Sequence, residues 1–345
     1  MSTIPFIKVQ GNHFECGQQI GQQFHQVIGA YIQSCKSSPP SGLTWSDCLL
    51  RSQPFLAPMT AGYPEIVEEL RGVSQATGIS FPEIFTTGIE ELYANNYSHK
   101  NCTDIIATSP ASAHTLVVHN NDLTPSMSDF ITSVEWNFAD GTKMFTVGLA
   151  GYLVSVGVNN SKIVLTGNEL TPNDNKPGIP RAYIARAILL ATSFDRAIEI
   201  ATDTNRASSY NNIISTIGKS VSIEGSATSY DLLLPTNGIL THSNHYCSTK
   251  MLSYEGKSDN YPSSIERLKS ANTQSEHMSH PITLDNLKDI LRSHGPDGSP
   301  STNTICRHSD QAMTVFGIAI DVDAGLVELA AGNPCRNQFR QVWQF

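Results

Sequence analysis

The sequence is poor in what several large protein classes depend on. No stretch approaches the uninterrupted apolar length that a membrane-spanning helix needs. Charged residues make up only 15% of the chain, and the 22 Lys and Arg are scattered rather than gathered in a stripe. That excludes the electrostatic footprint of a nucleic-acid partner. The 31 Asp and Glu leave a net charge of −9, which aids solubility and points to no substrate. The seven cysteines are odd in number, widely separated and never spaced as Cys-x-x-Cys, so no disulfide framework is expected. The opening MSTIPFIKVQGNHFECG lacks the basic-then-apolar pattern of a secretory signal, and the closing RQVWQF carries no lipidation signal. The expectation is a cytoplasmic chain with no membrane partner.

Familiar site motifs are missing as well. IGKS at 217–220 resembles the end of a phosphate-binding loop, but position 213 is Ile where that motif requires Gly. There is no Gly-x-Ser-x-Gly elbow and no His-Glu-x-x-His helix. His242/His245 and His277/His280 are His-x-x-His pairs without a third ligand at a recognisable spacing, so neither metal nor cofactor is expected.

What is present is a 39% hydrophobic content, ample for a core. A short strand ends at Gly11, and Phe14, Ile20, Phe24, Ile28 and Ile32 then fall at helical spacing. The 36–60 segment is hard to assign. A helix from Pro64 stops at Gly78, and another starts behind Ser80 and Pro82 and frays at Asn95-Asn96. After Cys102 the period shortens to that of strands joined by Asp-Gly and Asn-Asn turns. Helices return at 180–203, with Ser193 capping the second, and strands follow at 211–217, 229–234 and 238–242. A helix is expected near 283–294, and the chain closes on two strands joined through Asp323-Ala324-Gly325. Hairpins with helices grouped between them predict sheets covered by helices, the α+β class. No linker or repeat divides the 345 residues.

The stretch KNCTDIIATSP, 100–110, holds the most informative residue. Asn101-Cys102-Thr103 fits a glycosylation sequon, Cys102 fits a small buried side chain at a strand start, and it also fits the first residue of a mature chain. Polar clusters follow at strand ends: HNND (119–122), TGNEL (166–170), THSNHY (241–246) and NTICRH (303–308). Taken singly, each is an ordinary turn or sheet edge. An amide-cleaving site needs a nucleophile, a base and fixed donors for the oxyanion. A cysteine can supply the first, and its own α-amino group, with a pKa of about 7.7–8.0, can supply the second if the cysteine begins the chain.

In order along the chain, VQGNHFECGQQIG, ELRGVSQATG, CTD, AGYLVSVGVNNSKIVLTGNEL, SNHY and TICRH resemble the acyl-CoA:6-aminopenicillanate (isopenicillin N) acyltransferase family. These cysteine-type N-terminal nucleophile (Ntn) hydrolases are also grouped as peptidase family C45, with insect β-alanyl-amine hydrolases among them. The resemblance implies a four-layer αββα sandwich of two antiparallel sheets and cleavage at Asn101-Cys102 into chains 1–101 and 102–345 that stay associated. It also implies Cys102 as nucleophile and, through its freed amine, base. Asn244 becomes an oxyanion donor, Asp122 and Arg307 hold the amine and shape the charge around it, and Asn168 lines the substrate pocket. The activity implied is hydrolysis of a linear small-molecule amide through an acyl-Cys102 thioester, with acyl transfer from CoA as the alternative and an unprocessed binding protein as the reading from another class. Two departures stand out. Asn101 occupies a position where relatives commonly have Gly, and HNND lacks the aromatic residue found between Asn and Asp in the penicillin enzyme.

Overall fold

A computed structural model describes residues 3–92, 101–257, 261–295 and 298–345. β1 (Phe6–Gly11) leads into α1 (His13–Gln23), α2 (His25–Ser37), α3 (Trp45–Gly62), α4 (Pro64–Thr77) and α5 (Phe81–Thr87). Next come β2 (Asn101–Ala107), β3 (Leu116–Leu123), β4 (Ile131–Phe138), β5 (Lys143–Leu149), β6 (Leu153–Asn159) and β7 (Val164–Asn168). α6 (Arg181–Ile188) and α7 (Phe194–Ala201) precede β8 (Asn211–Thr216), β9 (Lys219–Gly225), β10 (Tyr230–Leu233) and β11 (Ile239–His242). α8 (Tyr261–Glu276), α9 (Leu284–Leu291), β12 (Met313–Asp321), β13 (Leu326–Ala331) and β14 (Arg340–Gln344) complete the chain.

The strands form an eight-stranded sheet, β1-β4-β5-β6-β7-β8-β9-β10, and a six-stranded sheet, β11-β2-β3-β12-β13-β14. β2 meets β7 across the gap, α1, α6 and α7 cover the first sheet, and α8 and α9 cover the second. The order of layers is therefore αββα, the expected α+β class. One pairing departs from the expected antiparallel pattern: β1 runs parallel to β4. Five helices and a visit to the other sheet separate the two, leaving the returning strand free to run the same way.

Local chemistry accounts for most boundaries. The periodic stretch after Gly11 is two helices, because the backbone leaves helical geometry at Phe24 (φ −104°, ψ 21°). α3 occupies the segment that sequence left unassigned. Pro54 and Pro58 lie inside it and obscure the pattern, while a Thr44–Asp47 capping box starts it. Gly78, at φ 70°, stops α4 as expected. α5 opens on a Ser80–Glu83 capping box and ends at Thr87; the Asn95-Asn96 pair lies outside the described residues. IGKS is the turn between β8 and β9 and its flank, not a phosphate loop. α1 and α4 cross at two glycines, where a Cβ on Gly17 would sit 2.0 Å from the Glu69 carbonyl oxygen and one on Gly72 2.1 Å from that of Phe14. Among the described residues, no helix is long and apolar enough to cross a membrane.

Candidate active site

The register of β2 on β3 sets the site. Cys102 lies opposite Asn121, and Asp104 lies opposite His119. Side chains alternate between faces along a strand, so these four share one face. Ile106 and Val117 on the same face join the large core cluster between the sheets. Ile105 and Val118, on the reverse face, join the cluster under α9. Cys102 therefore looks into the space between the sheets, while Asn101, Thr103 and Asp122 look toward α8.

On the inner face, the Nδ1 of His119 is 3.0 Å from both oxygens of Asp104, and both residues are fully buried. His119 also acts on the Cys102 thiol, favouring its ionised form. Asn121 Nδ2 lies 3.9 Å from the Cys102 sulfur and 3.5 Å from His119 Nε2. The network continues away from the thiol. Asn168 Nδ2 donates to Asp104 at 2.8 Å, and its Oδ1 accepts from Asn211 at 2.9 Å and lies 2.9 Å from His242 Nδ1. His242 Nε2 is 2.7 Å from Glu224, which also accepts the backbone N–H groups of Cys247 and Ser248.

Burial pushes the Cys102 thiol up, and His119 pulls against it. Burial also opposes a charge on His119, but the adjoining Asp104 carboxylate, helped by Cys102, holds its pKa up at about 10. At neutral pH His119 is thus an imidazolium paired with Asp104, a cation beside the sulfur.

The backbone of Cys102 is gripped separately. Its N–H donates to Asn244 Oδ1 at 2.9 Å. Arg267, on α8, donates through Nη2 to that same oxygen at 2.8 Å and to Asn101 Oδ1 at 3.2 Å. Through Nη1 it donates to Thr103 Oγ1 at 2.8 Å and to the Cys102 carbonyl. Two donors converging on one carboxamide atom of Asn244 identify it as the oxygen. Its Nδ2 turns away to the Glu169 carbonyl at 3.1 Å. Burial lowers Arg267 to about 10 against the opposing pull of Asp122.

Each expected residue can now be located. Asn244 holds the Cys102 N–H rather than presenting its donor to the thiol. Asp122 sits on the reverse face of β3 opposite Asn101, accepts from Thr314 at 2.7 Å, and keeps Oδ2 without a hydrogen bond. Burial pushes its carboxyl up, and Arg307 and Arg267 pull it down. Arg307 spends its Nε and Nη2 on Thr302, leaving Nη1 without a hydrogen bond. Asn168 lines the cavity beside Cys102 and is also a node of the buried network. Asn101 is fully buried with the cysteine.

The cavity itself is ≈ 70 Å³, with apolar walls from Leu149, Leu153 and Leu165 near the thiol and with Glu90, Glu169 and Tyr210 contributing acidic and phenolic groups. Arg181 bridges those two carboxylates. Sequence reading missed His119, Asp104, Asn121 and Arg267. All but Arg267 lie in runs of consecutive polar residues, CTD and HNND, that interrupt two apolar strands, but which of these share a face with Cys102 follows only from the pairing register.

The Cys102 thiol thus lies on the inner edge of a buried hairpin and lines a cavity, with its own N–H and carbonyl fixed. The chain belongs to the acyl-coenzyme A:6-aminopenicillanic acid acyl-transferase family, whose profile matches residues 110–335. It is 21% identical over 225 residues to the β-alanyl-dopamine/carcinine hydrolase of Drosophila melanogaster. That match covers 58% of this chain and 58% of the fly protein, so the chain spans less than two thirds of this relative. Among solved structures it is similar to a mutant conjugated bile acid hydrolase from Clostridium perfringens (11% identity, TM-score 0.46, 71% of this chain and 97% of that one). A Caenorhabditis elegans N-acylethanolamine-hydrolyzing acid amidase ortholog gives 15% identity and a TM-score of 0.44, over 64% of this chain and 93% of that one.

Proposed function

We propose that the protein is a self-processing cysteine amidohydrolase that cleaves a small linear amide through an acyl-Cys102 thioester. The observation that carries this reading is the clamp on Cys102. Its N–H lies on Asn244 Oδ1 and its carbonyl on Arg267, while its sulfur faces a cavity. In maturation the thiol adds to the carbonyl carbon of Asn101, the Asn101–Cys102 C–N bond breaks, and the thiol proton passes to the departing nitrogen. Water then releases Asn101 as a carboxylate and leaves Cys102 with a free amine. In turnover that amine, still held by Asn244 Oδ1, takes the thiol proton. The thiolate attacks the substrate amide, the leaving amine departs protonated, and water hydrolyses the thioester. His119 acts as a positioning residue, its cation lowering the cost of the thiolate. Asn121 Nδ2 is the nearest carboxamide donor for the oxyanion.

The cavity beside the sulfur is small, ≈ 70 Å³, and largely apolar. That supports a short acyl group, of which the β-alanyl group in the fly relative's name is an example. Acyl transfer to an amine from a thioester is the second reading, favoured by the family's name. Intact-mass measurement and N-terminal sequencing test the proposal. The expected result is a new N-terminus at Cys102 that disappears in Cys102→Ala, together with thiol-dependent release of amine from a β-alanyl amide but not from a long-chain acyl amide. A chain that stays whole and inert on an amide panel, with and without CoA, overturns it.

A further inference from the structure

Well apart in sequence from the Cys102 clamp, two histidines and two cysteines converge. His294 follows α9, Cys306 and His308 lie in the irregular stretch before β12, and Cys335 follows β13. Their ligating atoms all lie within 4.8 Å of one another. His308 Nε2 is 3.2 Å from His294 Nε2, 3.5 Å from the Cys306 sulfur and 3.2 Å from the Cys335 sulfur. One ring nitrogen offers either one proton or one lone pair, so three hydrogen bonds cannot account for three such neighbours. A single cation can. Tetrahedral zinc with Zn–N of about 2.0–2.1 Å and Zn–S of about 2.3 Å spaces two nitrogens by about 3.3–3.4 Å and nitrogen from sulfur by about 3.5–3.6 Å. The His294 and Cys306 distances match that pattern to within about 0.2 Å, and the Cys335 distance is about 0.3 Å shorter. Asn333 Nδ2 points at the Cys306 sulfur from 3.8 Å and donates to the Arg307 carbonyl at 2.7 Å, a support of the kind that orients metal ligands.

We propose that His294, Cys306, His308 and Cys335 bind one zinc ion in a closed structural site. Four protein ligands fill the tetrahedron and leave no open position, so the ion acts on folding rather than on substrate. Binding replaces the two thiol protons, which are released to solvent. The ion ties the chain after α9 and the chain before β12 to the turn after β13. Arg307 lies between two of the ligands, with its N–H on the Thr314 hydroxyl that also bonds Asp122. The metal thus fixes the loop that sets Arg307 beside the site. The spacing, eleven residues, then one, then twenty-six, matches no common zinc motif, so only folding reveals the set.

Elemental analysis of the full-length protein, purified with and without added zinc, tests this. About one zinc per chain is expected, falling to none in Cys335→Ser and His294→Asn and persisting in Cys247→Ser, which belongs to the separate Glu224–His242–Cys247 group. Should the ligand variants fail to fold, the wild-type protein carries the test after chelation and refilling with cobalt. Tetrahedral thiolate-cobalt absorption and restoration of the melting temperature lost on chelation support the site. The proposal is overturned by a chain that takes up neither ion from excess, by a Cys306–Cys335 disulfide in the isolated protein, or by zinc that stays in Cys335→Ser and leaves in Cys247→Ser.

Discussion

The sulfur of Cys102 is buried, and burial alone would keep it protonated at neutral pH. The His119–Asp104 pair is the counterweight. Replacing His119 by Gln keeps a similar shape and removes the cation. Alkylation of Cys102 by iodoacetamide should then move to higher pH and slow by about tenfold for each unit of pKa gained. An unchanged pH profile would show that His119 merely packs. Asn121→Ala should lower kcat by about 10²–10³ with little change in KM, the usual loss for one oxyanion donor. His119 and His242 also link stability to pH. In each, burial opposes the charge and the partners outweigh it, Asp104 for His119 and Cys247 with Glu224 for His242, giving pKa values of about 10. The unfolded value is about 6.5, so the folded state binds these protons more tightly. Their contribution is complete below about pH 6.5, declines as pH rises, and is lost above about pH 10. Urea midpoints should fall over that interval, and less steeply in His242→Gln.

α8 decides how Asn101 and Cys102 are held. Its buried residues are Ser263, Ser264, Arg267, Ala271 and Ser275, a small and polar face with one guanidinium. Arg267→Met leaves the Asn101, Cys102 and Asn244 oxygens without their shared donor and Asp122 with one cation fewer. The cost should be about 3 kcal/mol in urea unfolding, with cleavage at Cys102 abolished. The same face explains why α8 was not legible: periodicity reading looks for apolar side chains, and this helix buries almost none. α3 was hidden by its two prolines. By contrast, the β2–β3 strands, the glycine stop of α4 and the return of helices after β7 were legible because apolar period and cap residues agree there. Cys102, Asp122, Asn244 and Arg307 were candidates through family motifs alone. His119 and Asp104 needed the pairing register, which no local pattern carries.

At the scale of the whole molecule, the proposed cut divides the chain but not the core. One apolar cluster takes Val9, Ile20, Ile66 and Phe85 from before Cys102 and Ile106, Val134, Val156 and Ile213 from after it. β1 is also paired to β4 across the same division. Separating the pieces would expose that shared interior to water, at about 25 cal/mol per Å² of apolar surface. Processed protein should give two bands in denaturing gels and one peak, of unchanged elution, in native size-exclusion chromatography. Two peaks would show that the pieces part.

Asn101 and Thr103 are fully buried in β2, between β3 and β11. A protease needs an accessible, extendable stretch of chain, and the folded molecule offers none at this bond. The unfolded chain offers the stretch but has neither the clamp nor the cation beside the sulfur. Under the proposed self-processing, only a correctly assembled molecule makes the cut, and the cut is irreversible. Activity then becomes a certificate of folding, issued by the chain to itself: a misassembled copy stays a silent precursor, without the amine that turnover uses.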